Sequence, residues 1–340
     1  MFELQRHADN PVLVPHPDHL WENFAVCNPA VWYEDGKFLM LYRAAGDDAE
    51  HRIHLGLATS DDGVHFTRVS TEPVFSPIPG NFDGGCVEDP RIVKFGDWFY
   101  ITYAYRPLPP GRYWLNEQSL AFMPKEPAEA PVFYRQNMTQ SGLLMSKNLK
   151  TFQRLGRITA AGDDNRDVIL FPEKINNQFV MLHRSKRLIG EQYGCEHPAI
   201  WIAFSNDLLS WDDGILLLKN QFDWESKVGG ATPPIRTEAG WLMLYHAVDD
   251  AGVYRTGACL LDINNPTQVL ARLPKPILVP QEAFELNGLY GQCVFPTGNV
   301  VVGDTLYVYY GAADKCIGLA TCQISDLLEV LKKQNCYEQA

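Results

Sequence analysis

WYEDGKFLMLYRA, residues 32–44, decides the fold. Two aromatic-rich runs are split by Asp35-Gly36, a pair that accepts the positive φ of a two-residue hairpin turn. The design returns in KFGDWFYITYAYR (94–106), INNQFVMLHR (175–184), RTEAGWLMLYHAV (236–248) and VVGDTLYVYYGAA (301–313). Another alternating strand follows each copy: HLGLATSDDG (54–63), SGLLMSKNL (141–149), AIWIAFSNDL (199–208), RTGACLLDI (255–263) and CIGLATCQIS (316–325). Five copies at a spacing of about 60–80 residues, each with three or four strands, predict an all-β fold, a five-bladed β-propeller. Residues 1–340 then form one domain.

Two segments depart from the repeat. Residues 107–140 carry six prolines and several aromatics, which suits a lid or an interface loop inserted on one face. Residues 325–340 read as a short C-terminal helix, with Ser325 as its cap and Leu327, Leu328, Val330 and Leu331 as its apolar stripe.

A net charge of −12 repels a phosphate backbone and argues against nucleic acid as a partner. The 12% of aromatic residues suits sugar rings, although most of them serve the strands. The eight cysteines include no CxxC pair and read as reduced thiols. No apolar leader and no run near 18 apolar residues occurs, so the chain is expected in the cytoplasm, off the membrane. His16/His19 and His51/His54 lie in loop-like sequence without further ligands, and no metal role is expected.

In a propeller the first strand of each blade lines the axial channel. Those strands open on Asn28-Pro29-Ala30, Glu88-Asp89-Pro90-Arg91, Arg166-Asp167-Val168, Gly229-Gly230-Ala231 and Cys293-Val294-Phe295. Polar and ionisable groups converging on one mouth make a site. Within Glu88-Asp89, strand alternation lets only one carboxylate face the channel, where it can act as a general acid. The bland alternative is a turn carboxylate paired with Arg91. Arg43, Arg166, Arg184 and Lys227 sit at comparable places in different blades, and a cationic set inside an acidic protein suits phosphate.

NPAVWYEDGKFLMLYRA, GGCVEDPRIVKFGDWFYITY, RDVILFPEKINNQFVMLHR, KVGGATPPIRTEAGWLMLYHAV, YRTGACLLD and YYGAAD, in order from about residue 28 to 320, resemble glycoside hydrolase family 130. That family comprises β-mannoside phosphorylases and related β-1,2-mannosidases. The resemblance implies a five-bladed propeller with Asp89 as the general acid, thought to act through the mannosyl 3-hydroxyl. It implies phosphate binding by Arg166, Arg184, Lys227, Tyr254 and His246. Asn28, Arg43, Glu88, Asp167, His183 and Asp314 would hold the sugar. No cofactor is implied, inorganic phosphate being a co-substrate. The expected partners are a small oligosaccharide and phosphate, with the chain forming a homo-oligomer. Gly229-Gly230-Ala231-Thr232-Pro233-Pro234 departs from the usual family pattern, which bears on the acceptor end of the site.

An inverting hydrolase needs a second carboxylate to activate water, whereas phosphate arrives anionic and needs cations to position it. One acid plus a cationic set therefore favours an inverting β-mannoside phosphorylase yielding α-mannose 1-phosphate. Linkage (β-1,4 or β-1,2) and acceptor stay open. The alternatives are a mannosidase of the same fold, with Glu225 turned toward water, and a non-catalytic sugar-binding propeller.

Overall fold

The computed structural model describes residues 2–334 apart from 113 and 116–127. Its strands form five antiparallel sheets. Strand β1 (Gln5–Arg6) comes first in the chain. Blade 1 runs β2 (Ala25–Glu34), β3 (Lys37–Ala45), β4 (Ile53–Ser60), β5 (Thr67–Arg68); blade 2 runs β6 (Cys86–Phe95), β7 (Trp98–Arg106), β8 (Gln140–Ser146), β9 (Gln153–Arg157). Blade 3 is β10 (Asn165–Leu170), β11 (Phe179–Ser185), β12 (Ile200–Ser205), β13 (Ile215–Leu218). Blade 4 is β14 (Lys227–Gly230), β16 (Gly240–Val248), β17 (Tyr254–Leu261), β18 (Val269–Arg272), with β15 (Ile235–Thr237) also paired to β16. Blade 5 joins β19 (Val294–Val302), β20 (Thr305–Ala312) and β21 (Cys316–Gln323) to β1, so the first strand of the chain closes the last blade. The expected five-bladed propeller is the observed fold, and closure by β1 is what the sequence reading missed.

The inner hairpins turn where the sequence placed them. Asp35 and Gly36 take φ of 52° and 76°, and Asn176 and Asn177 take 51° and 66°. These are residues that tolerate the left-handed region. The apolar core lies between neighbouring blades: Leu182, Ile200 and Ile202 of blade 3, for example, pack with Met243, Tyr245 and Cys259 of blade 4.

Four blades are pinned by one repeated cluster. A buried carboxylate just before the first strand accepts from a tyrosine on the second strand and an arginine on the fourth. The sets are Glu22 with Tyr42 and Arg68, Asp83 with Tyr103 and Arg154, Glu225 with Tyr245 and Arg272, and Glu285 with Tyr310 and Arg6, at 2.7–3.0 Å. Each tyrosine ring lies across the glycine opposite it, Gly56, Gly142, Gly257 or Gly318. A Cβ on any of these glycines would meet ring atoms at 2.2–2.6 Å. The buried carboxylate is stable there because two donors compensate its lost hydration.

Two expectations are corrected in detail. The terminal helix α1 (Ile324–Lys332) is capped by Gln323 without a side-chain bond, and Ser325 donates instead to Asp304 at 2.6 Å. Its buried stripe is Ile324, Leu327 and Leu331, with Leu328 and Val330 only half-buried, because 3.6-residue spacing puts 324, 327 and 331 on one side. Residues 335–340 of the expected helix, and 113 and 116–127 of the expected insertion, lie outside the described residues. What is described of the insertion reaches back to blade 1: Trp114 packs tilted against Phe24 and edge-on to His51, and Arg112 pairs with Asp47 at 2.9 Å. Among the described residues no helix is long and apolar enough to cross a membrane.

Candidate active site

Strands β2, β6 and β10 each carry a bulge at the same place. Pairing skips from Cys27 to Ala30, from Glu88 to Arg91 and from Arg166 to Ile169. At each bulge sits one residue of positive φ: Asn28 at 44°, Asp89 at 54° and Asp167 at 53°. Asn and Asp are the side chains that bear this conformation best, and a bulge re-aims what it carries. Three polar side chains are thereby presented by three successive blades.

Asn28 donates to the Asp89 carboxylate at 2.8 Å. Arg43, next to the pinned Tyr42, lies 3.2 Å from the Asp89 carboxylate and 3.2 Å from that of Glu88. Strand alternation therefore misled on one point. The bulge breaks the alternation, and both adjacent carboxylates reach the same guanidinium. Arg91 does not pair with the Asp89 side chain. It donates to the backbone carbonyls of Asp89 at 2.7 Å and Ala231 at 2.8 Å, bracing the strained turn from behind. Sequence reasoning gave Arg91 no such role, although its place two residues after a positive-φ residue was visible.

The cationic side is built by blades 3 and 4. Arg184 donates to Asp167 at 2.6 Å. Burial opposes the charge on Asp167, but Arg184 above all, with His246 and Arg91, holds it well below the usual carboxylate range. Lys227 donates to the Tyr254 hydroxyl at 2.9 Å and has no carboxylate partner among the described residues. Burial first, then Arg184, brings its pKa down to about 8. The two halves meet: the buried Cys293 thiol is pushed far up by burial, then by Asp314, Cys27 and Asp89, with Lys227 opposing. Asp314, on the turn after β20 at a φ of 52°, lies within electrostatic reach of Cys293 and Cys27.

Two expected residues, His183 and His246, stand behind the channel wall. His183 lies on the opposite face of β11 from Arg184, as alternation requires, and contacts Asn165 at 3.1 Å. It faces a separate cavity between blades 2 and 3. His246 is fully buried behind Asp167, 3.4 Å from it, with its ring 4.3 Å from that of Phe295, and burial lowers its pKa to about 3. It supports the site as a neutral ring. Arg166 pairs with Arg184 in the β10–β11 register, so the two share blade 3 instead of standing in different blades. Asp164 holds it at 2.9 Å, and it lies within electrostatic reach of Glu88, Asp167 and Lys227, beside an opening lined by Arg106, Lys186 and Arg187. The edge-to-face packing of Phe295 and Tyr290 against Tyr254 was also missed, since those residues come from a different blade.

Glu225 is not available to activate water. Arg272 grips both its oxygens at 2.7 Å, and Tyr245 and two backbone amides donate to it as well. Among the described residues no group of three His, Cys, Asp or Glu side chains is placed to hold a metal ion. The arrangement offers a partly exposed carboxyl, Asp89, and a neighbouring cationic pair, Arg184 and Lys227. It can protonate one oxygen while holding an anion.

A propeller channel with one acid and a cationic set defines a glycoside-processing enzyme. The family model described as β-1,4-mannooligosaccharide phosphorylase matches residues 12–115 and 132–333, and the chain belongs to glycoside hydrolase family 130. It is 38% identical over 334 residues to the 1,2-β-oligomannan phosphorylase of Thermoanaerobacter sp. (strain X514), covering 96% of this chain and 99% of that one. It is 29% identical over 343 residues to the β-1,4-mannooligosaccharide phosphorylase of Ruminococcus albus, covering 97% and 91%. The structure of the β-1,2-mannobiose phosphorylase of Listeria innocua with β-1,2-mannobiose superposes with a TM-score of 0.78 and 28% identity, covering 97% of this chain and 99% of that one.

Proposed function

We propose that this chain catalyses the inverting phosphorolysis of β-1,2-linked mannosides, releasing α-mannose 1-phosphate. The observation that carries the reading is the division of the channel into one acid and a cation pair, with the other carboxylates engaged. Asp167 is tied to Arg184 and Glu225 to Arg272, while Glu88 and Asp89 share Arg43, Asp89 being the more exposed of the two side chains, at 19% against 8%. A phosphate oxygen held by Arg184 and Lys227 attacks C1 from the face opposite the leaving oxygen. The C1–O bond breaks as the Asp89 proton passes to that oxygen, directly or through a sugar hydroxyl. The proton carried by hydrogen phosphate restores the carboxyl, so no proton is consumed overall. Asn28, Arg43 and Asp314 would orient the mannosyl ring. The β-1,2 linkage is supported by the higher identity to the relative named for 1,2-β-oligomannan than to the one named for β-1,4-mannooligosaccharides.

The test is incubation with β-1,2- and β-1,4-mannobiose, each with and without phosphate, followed by NMR of the anomeric products. α-Mannose 1-phosphate formed from the β-1,2 substrate, and only with phosphate, is the expected result. Mannose released equally well without phosphate overturns phosphorolysis, and faster turnover of the β-1,4 substrate overturns the linkage.

A further inference from the structure

Among the described residues, blade 3 alone lacks the pinning cluster. Its carboxylate is Asp163, 5% exposed, which accepts from Ser185 at 2.7 Å and Asn165 at 3.0 Å and has no cationic partner among the described residues. His183 replaces the tyrosine, and Trp201 replaces the glycine opposite it. Continuing the register of Ile202 with Ile215 by one residue places Gly214 where the other blades carry arginine. A Cβ on Gly214 would point at His183 Nε2, 3.1 Å away. A cavity of about 330 Å³ fills this region, at the lower end of small-molecule sites (about 300–1,000 Å³).

The lining has a definite hydrogen-bond pattern. Asn165 Oδ1 accepts from the Arg184 amide, so its nitrogen is the atom that donates to Asp163 and to His183 Nδ1. His183 Nδ1 therefore accepts, and Nε2 carries a hydrogen that has no acceptor among the described residues. The hydroxyl of Thr159, 9% exposed, is likewise without a partner. Asp163, Asp212 and Asp213 stand on the same lining, with Arg187 as its one cation among the described residues and Leu209 and Trp211 as an apolar wall. An unpaired N–H beside carboxylate acceptors is matched by a group that both accepts and donates. A hydroxyl does this; an ammonium or guanidinium, which only donates, does not. A ring with hydroxyls at its edge and C–H on its faces also suits the apolar wall.

We propose that this cavity is a second carbohydrate site, taking one pyranose unit and separate from the channel. It backs onto β10 and β11, the strands that carry Arg166 and Arg184 on their other side.

Crystals soaked in mannose or glucose should show a sugar in the cavity, with hydroxyls on His183 Nε2 and Thr159 Oγ1. In solution, titration of the protein labelled with ¹⁵N-histidine should shift the His183 imidazole signal saturably. Thr159→Val should weaken that titration roughly three- to tenfold, the worth of one hydrogen bond, while kcat stays unchanged. Sugar found in the channel alone, a His183 signal that does not move, or an unaltered titration in Thr159→Val overturns the proposal. So does a His183 signal that answers to methylguanidinium and not to sugar, which would make this a cation site.

Discussion

Blades 3 and 4 both supply the cationic side of the channel, yet they are built differently behind it. Blade 4 backs His246 with Glu225, Tyr245 and Arg272, a fully compensated buried ion pair under a ring laid on Gly257. Blade 3 backs Arg184 with His183, Asn165 and Asp163, a neutral network beside a cavity. The propeller therefore stands on four pinned blades and tolerates one open blade. A residue that holds a blade sits next to one that faces the channel on the same strand, pointing the opposite way, as Tyr42 and Arg43 do; blade 3 keeps the alternation with His183, at the tyrosine's place, and Arg184. The two classes should fail differently, and that sets the tests.

The largest effect belongs to the channel. Asp89→Asn should lower phosphorolysis by about 10²–10⁴-fold, because an amide cannot give up the proton, with no change in thermal unfolding. Steady-state rates alongside a melting curve check both halves. More than a tenth of the rate surviving would remove Asp89 from the chemistry. Next comes the cluster behind blade 4. Arg272→Met strands a buried Glu225 charge and should cost about 3–5 kcal/mol in denaturant unfolding. Asp163→Asn in blade 3 breaks no ion pair and should cost nearer to about 1 kcal/mol. Equal costs for the two would break the comparison.

Lys227→Ala removes one charged contact to phosphate, worth about 1.5–3 kcal/mol, and should raise the KM for phosphate roughly ten- to a hundredfold with little change in that for the mannoside. The smallest effect is one of pH. Lys227 is held down to about 8 by burial and by Arg184, so it is charged below that pH and neutral above it. The KM for phosphate should climb as pH rises through 8, and in Lys227→Ala that climb should be absent. Initial rates across that range decide it.

The blade count was legible because each blade repeats a tight turn before an aromatic strand, a local signal. The acid was legible for the same reason, in Glu88-Asp89-Pro90-Arg91. The direction of the pair was not. Alternation assigns one carboxylate to each face, and the bulge that overrides it shows only in the pairing of β6 with β7. His183 was drawn into the site by its neighbour Arg184, and here alternation would have placed it correctly. The pinning clusters were half visible. A tyrosine recurs at 42, 103, 245 and 310, with histidine at 183, but the carboxylate and arginine that complete each set lie far away in the chain.

The ring is shut by its earliest residues. Gln5 and Arg6 pair with Thr321 and Ala320, and Arg6 completes the Glu285–Tyr310 cluster of blade 5. During synthesis this strand emerges long before its partner, with all the other blades between them. Blades 1 to 4 can therefore form in the order of translation, but the fifth stays short of its outer strand and its arginine until β21 is made. Such a long-range pairing is a slow, late step of folding. For the same reason the channel, which needs all five inner strands, gains its final shape only when β1 and β21 have met.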